Sequence, residues 1–385
     1  MGSIHNGNIA IVGAAETDEI GVLPNTSVYD LHANSALRAL EQTGLTIKDV
    51  DGFATTSPNP LEIAQYLGIQ TPRWVDGTMV GGCSYFLHLR HGAAAIAAGL
   101  ADVVLITHGE SGRSRVGSPG YGASPAGPSG QWEAPYGAMT PFATFTVPVL
   151  AWLKARGMKP EDLALPVVSQ REYAIPNERA FRRNPTTLEE VINGPKVAWP
   201  FSRDMCCVVT DGGGALVLVS AERAKDLNLT KPPVYLQGSG ESIAGGIMSQ
   251  MPSLDTFEPM VQTGKEAFAT AGLTHSDIDH LMIYDAFAHL PLWGLEDLGF
   301  VGKGESADFY RDGHAAKDGK LPMNTQGGGM SYTHTGMYGM FAIQEAVRQL
   351  RGEAVVQIPD VKRSFVQGFG FFFGATSSLI LSNEQ

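Results

Sequence analysis

The stretch Thr78-Met-Val-Gly-Gly-Cys-Ser-Tyr-Phe-Leu-His-Leu-Arg-His-Gly-Ala-Ala-Ala-Ile-Ala-Ala-Gly-Leu-Ala-Asp-Val-Val-Leu-Ile-Thr107 decides the fold. A glycine pair leads into Cys83, an Ala-rich helix follows and stops at Gly99, and the apolar run Val103 to Ile106 reads as a strand. Gly81 and Gly82 allow a tight backbone turn. Cys83 then stands at or near a helix N-terminus, where unpaired N–H groups and the helix dipole favour a thiolate. Cys83 is therefore a candidate nucleophile. The competing reading is a small apolar residue packed under the helix, since free cysteine is among the most buried residue types.

Composition limits the alternatives. The chain has 385 residues, enough for two core-forming units, with 43% hydrophobic and 17% charged residues. A net charge of −12 speaks against a general nucleic-acid or anionic-membrane surface. The cysteines are Cys83, Cys206 and Cys207, and their spacing fits no zinc site. No metal is expected, and the compartment is expected to be reducing. Cys206 and Cys207 precede a strand and read as packing residues. The first residues lack the basic and apolar regions of a signal peptide, and no apolar run approaches the roughly 20 residues that span a bilayer. A soluble, cytoplasmic protein is expected.

Outward from this stretch, the chain repeats itself. Ile9 to Val12 reads as a strand, followed by a helix over Val28 to Leu40 with Ser27 as a cap. Gly44-Leu-Thr-Ile-Lys-Asp-Val-Asp51 comes next. The second half starts with Val234-Tyr-Leu-Gln-Gly238, continues with a helix carrying Ala267, Phe268 and Ala271, and then reads Gly272-Leu-Thr-His-Ser-Asp-Ile-Asp279. Gly13 and Gly238 lie 225 positions apart, and Gly44 and Gly272 lie 228 apart. The segment around Gly99 is echoed around Gly352, which matches Val355 to Ile358 with Val103 to Ile106. Each half closes on a small-residue turn and a strand, Gly213 to Ser220 and Gly374 to Ser382.

Two copies of one βα-rich unit follow from this: an N-terminal half over 1–225, interrupted at about 109–200, and a C-terminal half over 226–385. Alternating strands and helices imply α/β layers around a mostly parallel sheet. Within the insertion, Gly117 to Gly137 reads as loop, and Pro148 to Ala155 and Pro160 to Tyr173 as helices. The positive charges of Arg171 to Arg183 fit a solvated face better than a phosphate site. A pseudo-twofold relation between the halves would turn two helix N-termini onto one site. It would also bring Cys83 and His334 together, a pairing that activates a thiolate.

These motifs resemble the thiolase superfamily, in its sterol-carrier-protein-thiolase-like branch. The likeness runs along the whole chain. It is strongest at Gly99 to Ile106, Pro200 to Ser220, Tyr284-Asp-Ala-Phe287 with Leu295 to Phe300, and Leu321 to Gly352. The resemblance implies a thiolase fold of two similar halves in an αβαβα arrangement, and a homodimer. It also implies a nucleophile, an activating histidine, an oxyanion hole and an acid/base group. His334 matches the histidine. Cys83 matches the nucleophile when read from Cys-Ser-Tyr-Phe-Leu; counting back from Gly99 puts that position at Gly82 instead. Tyr284 takes the oxyanion or acid/base position, Gly370 the oxyanion glycine, and both usual acid/base cysteines are missing.

Three functions are compatible with that set. The leading expectation is a thiolase-like acyltransferase that makes or cleaves a C–C bond in a bulky 3-oxoacyl-CoA, with Cys83, His334 and Tyr284 as catalytic residues. The second is a retro-aldolase on a 3-hydroxyacyl-CoA, similar to the steroid side-chain aldolases, which use tyrosines; Tyr284 fits that role and Tyr338 would assist. The third is an inactive homologue serving as scaffold or acyl-CoA carrier. Tyr284 also reads as a buried aromatic with its hydroxyl satisfied, and His334 as a helix cap. Phe371 and Phe373 are candidate lining for an acyl pocket. Coenzyme A is expected as substrate or product, with no permanently bound cofactor. The branch also implies a small DUF35 protein, a zinc ribbon plus OB-fold, as a candidate partner.

Overall fold

Two runs of strands, interleaved with helices, come together in a computed structural model that describes residues 3–117, 126–138 and 140–385. The strands of the main sheet are β1 (Ile9–Glu16), β2 (Gly52–Ala54), β3 (Trp74–Asp76), β4 (Val104–Ser111), β5 (Asp211–Ser220), β6 (Val234–Ile243), β7 (His280–Ile283), β8 (Arg363–Gly370) and β9 (Ala375–Ser382). Among the described residues these nine form one sheet in the order β3-β2-β4-β5-β1-β6-β9-β8-β7. The order reads outward from the centre twice: β1-β5-β4-β2 on one side and β6-β9-β8-β7 on the other.

The sheet is mixed, not mostly parallel. Five neighbour pairs are antiparallel (β1 with β5 and β6, β4 with β5, β9 with β6 and β8), and three are parallel (β2 with β3 and β4, β7 with β8). In each half the last strand turns back to run beside the first. The β8–β9 connection shows why: residues 371–374 form a hairpin, and a parallel return needs a crossover of a dozen or more residues.

The repeated sequence motif makes a repeated structure. The Thr46 amide and hydroxyl both donate to the Asp49 carboxylate at 2.8 Å, as those of Thr274 do to Asp277 at 2.8 Å. The closing aspartates act alike too. Asp51 accepts the N–H groups of Asp102 and Val103 at 2.9 Å, just before β4, and Asp279 accepts those of Lys362 and Arg363 at 2.9 Å, at the start of β8. This register corrects the expected match of Val355–Ile358 with Val103–Ile106. Residues 353–362 form turns, Val355 is exposed, and the true counterpart of Asp102-Val103 is Lys362-Arg363.

The helices that matter here are α1 (Val28–Glu41), α2 (Ser84–Ala97), α3 (Pro141–Arg156), α4 (Ala164–Ala174), α5 (Glu258–Ala271), α6 (His289–Asp297) and α7 (Gly339–Arg351). Ser27 caps α1 through a capping box with Asp30. α1 covers the strands of the first half and α5 those of the second, while α2 and α7 lie between them and touch strands of both. The result is the αβαβα layering. The main core surrounds α2 and α7; a second apolar cluster lies beneath α1.

The insertion folds onto the opposite half. Expected as Pro148–Ala155, α3 begins at Pro141 under a Thr140 cap and carries Pro148 inside it. Trp152 of α3 stacks on Trp293 of α6 at 5.2 Å and 13°. Arg156 Nε bonds the buried Glu296 at 2.7 Å, and its Nη1 reaches Asp255 at 3.0 Å. The second expected helix is divided into a 3-10 turn over Pro160–Leu163 and α4. Of the expected loop Gly117 to Gly137, residues 118–125 lie outside the described residues; Pro128–Trp132 and Ala134–Tyr136 are short helical turns.

Of the arginines of 171–183, Arg183 is exposed, whereas Arg171 and Arg179 are engaged with other parts of the chain. Arg171 is buried and donates to Ser331 Oγ at 2.9 Å and to the Asn184 carbonyl at 2.7 Å. Arg179 donates to the carbonyls of Asp18 at 2.6 Å and Thr17 at 2.7 Å. These side chains fasten the insertion to both halves. Among the described residues, no helix is long and apolar enough to cross a membrane.

The Trp152–Trp293 stack is expected to be a main attachment of the insertion. Trp293→Ala should cost about 3–5 kcal/mol and lower the melting temperature, by the measure of other buried aromatic truncations. Trp199→Ala, at a side chain 56% exposed, should stay within about 0.5 kcal/mol of wild type in the same denaturation series.

Candidate active site

The glycine pair forms a 3-10 turn, Gly81–Cys83, that runs directly into α2. Gly81 has φ +77°, a conformation that a Cβ would strain. At Gly82 the constraint is space. A Cβ there would overlap the hydroxyl of Tyr284. The position from which a side chain would enter the site is thus filled by a phenol from the other half of the chain.

Tyr284 follows β7, with its N–H on the Gln367 carbonyl at 3.1 Å, so the parallel pairing with β8 aims the side chain. Its hydroxyl has two partners. The Tyr338 N–H, just ahead of α7, donates to Oη at 3.1 Å, and His334 Nε2 lies 3.2 Å from it. The Gly336 N–H donates to His334 Nδ1 at 3.3 Å, which assigns the ring proton of the neutral imidazole to Nε2. Tyr284 Oη therefore accepts two hydrogen bonds. Burial pushes the Tyr284 phenol well above its ordinary pKa, while the Tyr338 N–H acts in the opposite direction. Burial holds His334 down at about 4, so the ring is neutral at physiological pH.

Backbone around the pair is held by buried polar groups. Asp285, next to Tyr284, accepts the N–H groups of Gly329 at 2.8 Å and Met330 at 3.3 Å. Burial raises its carboxyl to about 7, against the pull of the Gly329 N–H. The His334 N–H donates to Thr210 Oγ at 3.1 Å. Thr335 leads inward to His108, 2.8 Å from its hydroxyl, and from there to Tyr85 at 2.5 Å and Thr56 at 3.1 Å. Asp285, Thr210, Gln326 and this chain of polar groups were not singled out by the sequence reading. Asp285 carried a signal, as the acidic neighbour of Tyr284 followed in the chain by Gly327-Gly-Gly329; the others lie among small and polar residues, as in Asn324-Thr-Gln-Gly327, and carried none.

The geometry sorts the sequence candidates. Tyr284, His334 and Tyr338 come together. Tyr338, however, contributes its backbone N–H, because its side-chain hydroxyl is bonded by Gln326 Nε2 at 2.7 Å. Cys83 does not join them. One residue beyond Gly82 is a rotation of about 100° around the turn, and Cys83 Sγ faces the Val80 carbonyl at 3.6 Å, among residues of β8. Burial raises the thiol pKa instead of lowering it, and no hydrogen bond links it to His334 among the described residues. Gly370 sits against Val80 and Cys83; a Cβ there would overlap the Val80 carbonyl and lie 2.8 Å from Sγ. Phe371 is 50% exposed, whereas Phe373 is buried among Phe145, Phe257, Phe369 and Trp293, where it packs core. Cys207 is half-buried, and its N–H bonds the Ala286 carbonyl at 2.8 Å, which places it beside the tyrosine turn.

Comparison with known proteins agrees with this architecture. Residues 240–383 match the family described as thiolase C-terminal domain-like. The 17-hydroxy-3-oxo-4-pregnene-20-carboxyl-CoA lyase of Mycobacterium tuberculosis is 33% identical, with 98% of this chain and 99% of that protein covered. The steroid side-chain-cleaving aldolase of Thermomonospora curvata is 33% identical over the full length of both. Among solved structures, one titled Ltp2-ChsH2(DUF35) aldolase superposes with a TM-score of 0.90 at 31% identity and full coverage of both chains. The chain belongs to the thiolase superfamily. Within it, the protein is an enzyme of the sterol-carrier-protein-thiolase-like branch.

The space at Gly82 offers a direct structural check. In crystals of Gly82→Ala, Tyr284 Oη should leave its hydrogen bonds to Tyr338 N–H and His334, and the overlap should cost about 1–3 kcal/mol of stability. Cys83→Ser crystals should keep both bonds.

Proposed function

We propose that this protein is a lyase that splits the C2–C3 bond of a bulky 3-hydroxyacyl-CoA by a retro-aldol reaction, with Tyr284 as the proton-transfer group. The observation that carries the reading is the Tyr284 hydroxyl itself. It fills the place of a side chain at Gly82 and accepts hydrogen bonds from Tyr338 N–H and from His334. An oxygen that accepts two donors is stabilised as its anion. The similarity to two steroid side-chain lyases along the whole chain supports the same chemistry.

The step balances without a covalent intermediate. Tyr284 oxygen takes the proton of the substrate's C3 hydroxyl. The C3–O bond becomes a carbonyl, the C2–C3 bond breaks, and its electron pair passes to C2 and the thioester as an enolate. Tyr284 then returns the proton to C2, which yields a ketone and a shortened acyl-CoA. His334, neutral throughout, donates from Nε2 and holds the phenol oxygen in place. The Tyr338 N–H at the start of α7, bonded to this oxygen, favours the phenolate from which the step starts.

The acyltransferase reading is less well supported. It requires a Cys83 thiolate next to His334, whereas the thiol is buried, bonded to a carbonyl and raised in pKa. We further propose a DUF35-type partner for this chain, on the strength of its similarity to the Ltp2-ChsH2(DUF35) aldolase.

Two variants separate the readings. With a 3-hydroxyacyl-CoA bearing a ring system, Cys83→Ala should retain near wild-type kcat and show no loss of an acyl adduct by intact mass. Tyr284→Phe should lose about 10²–10⁴ in kcat, the usual contribution of a positioned acid/base. Acylation of Cys83 by a 3-oxoacyl-CoA, with activity lost in Cys83→Ala, would overturn the proposal.

The pH profile is a further check. Only the deprotonated phenol can accept the substrate proton, and burial sets its pKa above the ordinary value. The logarithm of kcat/KM should therefore rise with a slope of about one per pH unit from near neutrality into the alkaline range. His334, already neutral above about pH 4, should add no step there.

A further inference from the structure

The strand that delivers Tyr284 ends the sheet, and an edge strand leaves one row of peptide groups without a ladder partner. Here that row is buried, because every residue of β7 lies inside the protein. Buried peptide groups need partners. The segment over residues 322–324 supplies them in two ways. Its backbone covers the first part of the edge: the Leu281 N–H donates to the Pro322 carbonyl at 3.0 Å, and the Asn324 N–H to the Leu281 carbonyl at 3.0 Å. At the last residue of the strand a side chain takes over. Asn324 Oδ1 accepts the Ile283 N–H at 2.9 Å, and Asn324 Nδ2 donates to the Ile283 carbonyl at 2.9 Å.

The position makes demands that asparagine meets. Asn324 is fully buried and has φ +53°, a left-handed conformation that asparagine adopts more readily than most residues with a Cβ. Its carboxamide carries a donor and an acceptor on one carbon, as a peptide group does. Aspartate suits the backbone but has no donor for the Ile283 carbonyl. Glycine relieves the backbone but leaves both peptide groups of Ile283 unpaired. Glutamine places the same amide one methylene further out.

The clamp acts on the peptide group that carries Tyr284. The carbonyl held by Asn324 Nδ2 belongs to the Ile283–Tyr284 peptide, and the N–H of that same peptide is held from β8 by the Gln367 carbonyl at 3.1 Å. Both edges of the plane are tied before the side chain leaves it. Asn324 also opens the segment that leads to His334. Its carbonyl accepts the Gly327 N–H at 3.0 Å, and two residues further on the Gly329 N–H reaches Asp285 at 2.8 Å. One segment thus grips the chain at Ile283 and at Asp285, on either side of Tyr284, and then continues to the histidine that bonds the phenol.

We propose that Asn324 is a positioning residue for the reaction: by standing in for a neighbouring strand at Ile283, it keeps Tyr284 Oη within hydrogen-bond distance of His334 Nε2. The inference rests on the reading that Tyr284 transfers the proton, but its geometric part does not depend on which bond is cleaved. Oδ1 and Nδ2 are both engaged at Ile283, so the residue acts through the backbone and not on the substrate.

The test compares Asn324→Gly and Asn324→Asp with Asn383→Ala in the full chain. Asn383 follows the end of β9 remote from Gly370, and its amide donates to the carbonyls of Leu350 at 3.3 Å and Val361 at 3.1 Å, so its loss controls for a missing backbone-bonded amide. Rates with a ring-bearing 3-hydroxyacyl-CoA are measured well below each melting temperature, and the Asn324 variants are crystallised. Both Asn324 variants should lower kcat about 10- to 100-fold, the scale of a misplaced catalytic group, with KM within about twofold of wild type. Their crystals should show Tyr284 Oη and His334 Nε2 separated beyond the reach of a hydrogen bond. Asn383→Ala should keep the wild-type kcat. If Asn324→Gly does not fold, Asn324→Asp, which keeps an acceptor for the Ile283 N–H, carries the test. Tyr284 unmoved in the crystals overturns the proposal, as does an equal fall in kcat in Asn383→Ala. A displaced Tyr284 at unchanged kcat would uphold the positioning of the phenol and refute its part in the proposed reaction.

Discussion

The structure depends on a backbone contact. α2 and α7, one from each half, start at the same place, and Gly339 approaches the Gly82 carbonyl so closely that a Cβ would overlap it. Neither helix start can carry a side chain at that crossing. What the contact leaves open is the tip of a phenol: Tyr284 Oη fits beneath both helix ends and is bonded by one of them through Tyr338 N–H. The N–H end of α7 at this oxygen makes a region of positive potential. The chemistry proposed for Tyr284 uses that potential, and the fold produces it through close packing alone.

Burial sets the electrostatic character of the site. Asp285, Tyr284 and His334 are all inside the protein, and each is shifted toward its neutral form. Water is largely excluded, so every remaining dipole acts at short range with little screening. The Gly327–Gly329 turn matters in this setting. By offering N–H groups to Asp285, it holds the residue next to Tyr284 without bringing a full charge close to the phenol. The arginines on the other side of that turn are a different environment, open to solvent at Arg203 and closed at Arg171.

Much of this was legible in the sequence because it rests on local chemistry. The Gly-Leu-Thr-x-x-Asp motif announces its own hydrogen bonds, and Thr46 and Thr274 form them alike. Ser27 and the periodic apolar residues after it set α1. Tyr284, His334 and Tyr338 were found together because motif positions carry over between related chains. The direction of Cys83 was not legible, since one residue around a helical turn reverses which side chain faces the site. The antiparallel strands escaped because β5 and β9 read as apolar runs whatever their direction. The arginines of the insertion looked like a solvated face, because charge spacing alone does not reveal that Glu16 and Ser331 come from distant parts of the chain to meet them.

The duplicated architecture has a consequence for how such a pocket can change. In an assembly of two identical chains, any substitution at a helix start appears twice and must suit both places. Here the two starts belong to one polypeptide and have diverged: one reads Gly81-Gly-Cys83 and the other Met337-Tyr-Gly339. One copy can give up a side chain while the other keeps its bulk, and a residue from a strand end can take over the vacated volume. Fusion of the halves releases the centre of the molecule from symmetry while leaving the paired threonine turns at its periphery, which carry no chemistry, as evidence of a common plan.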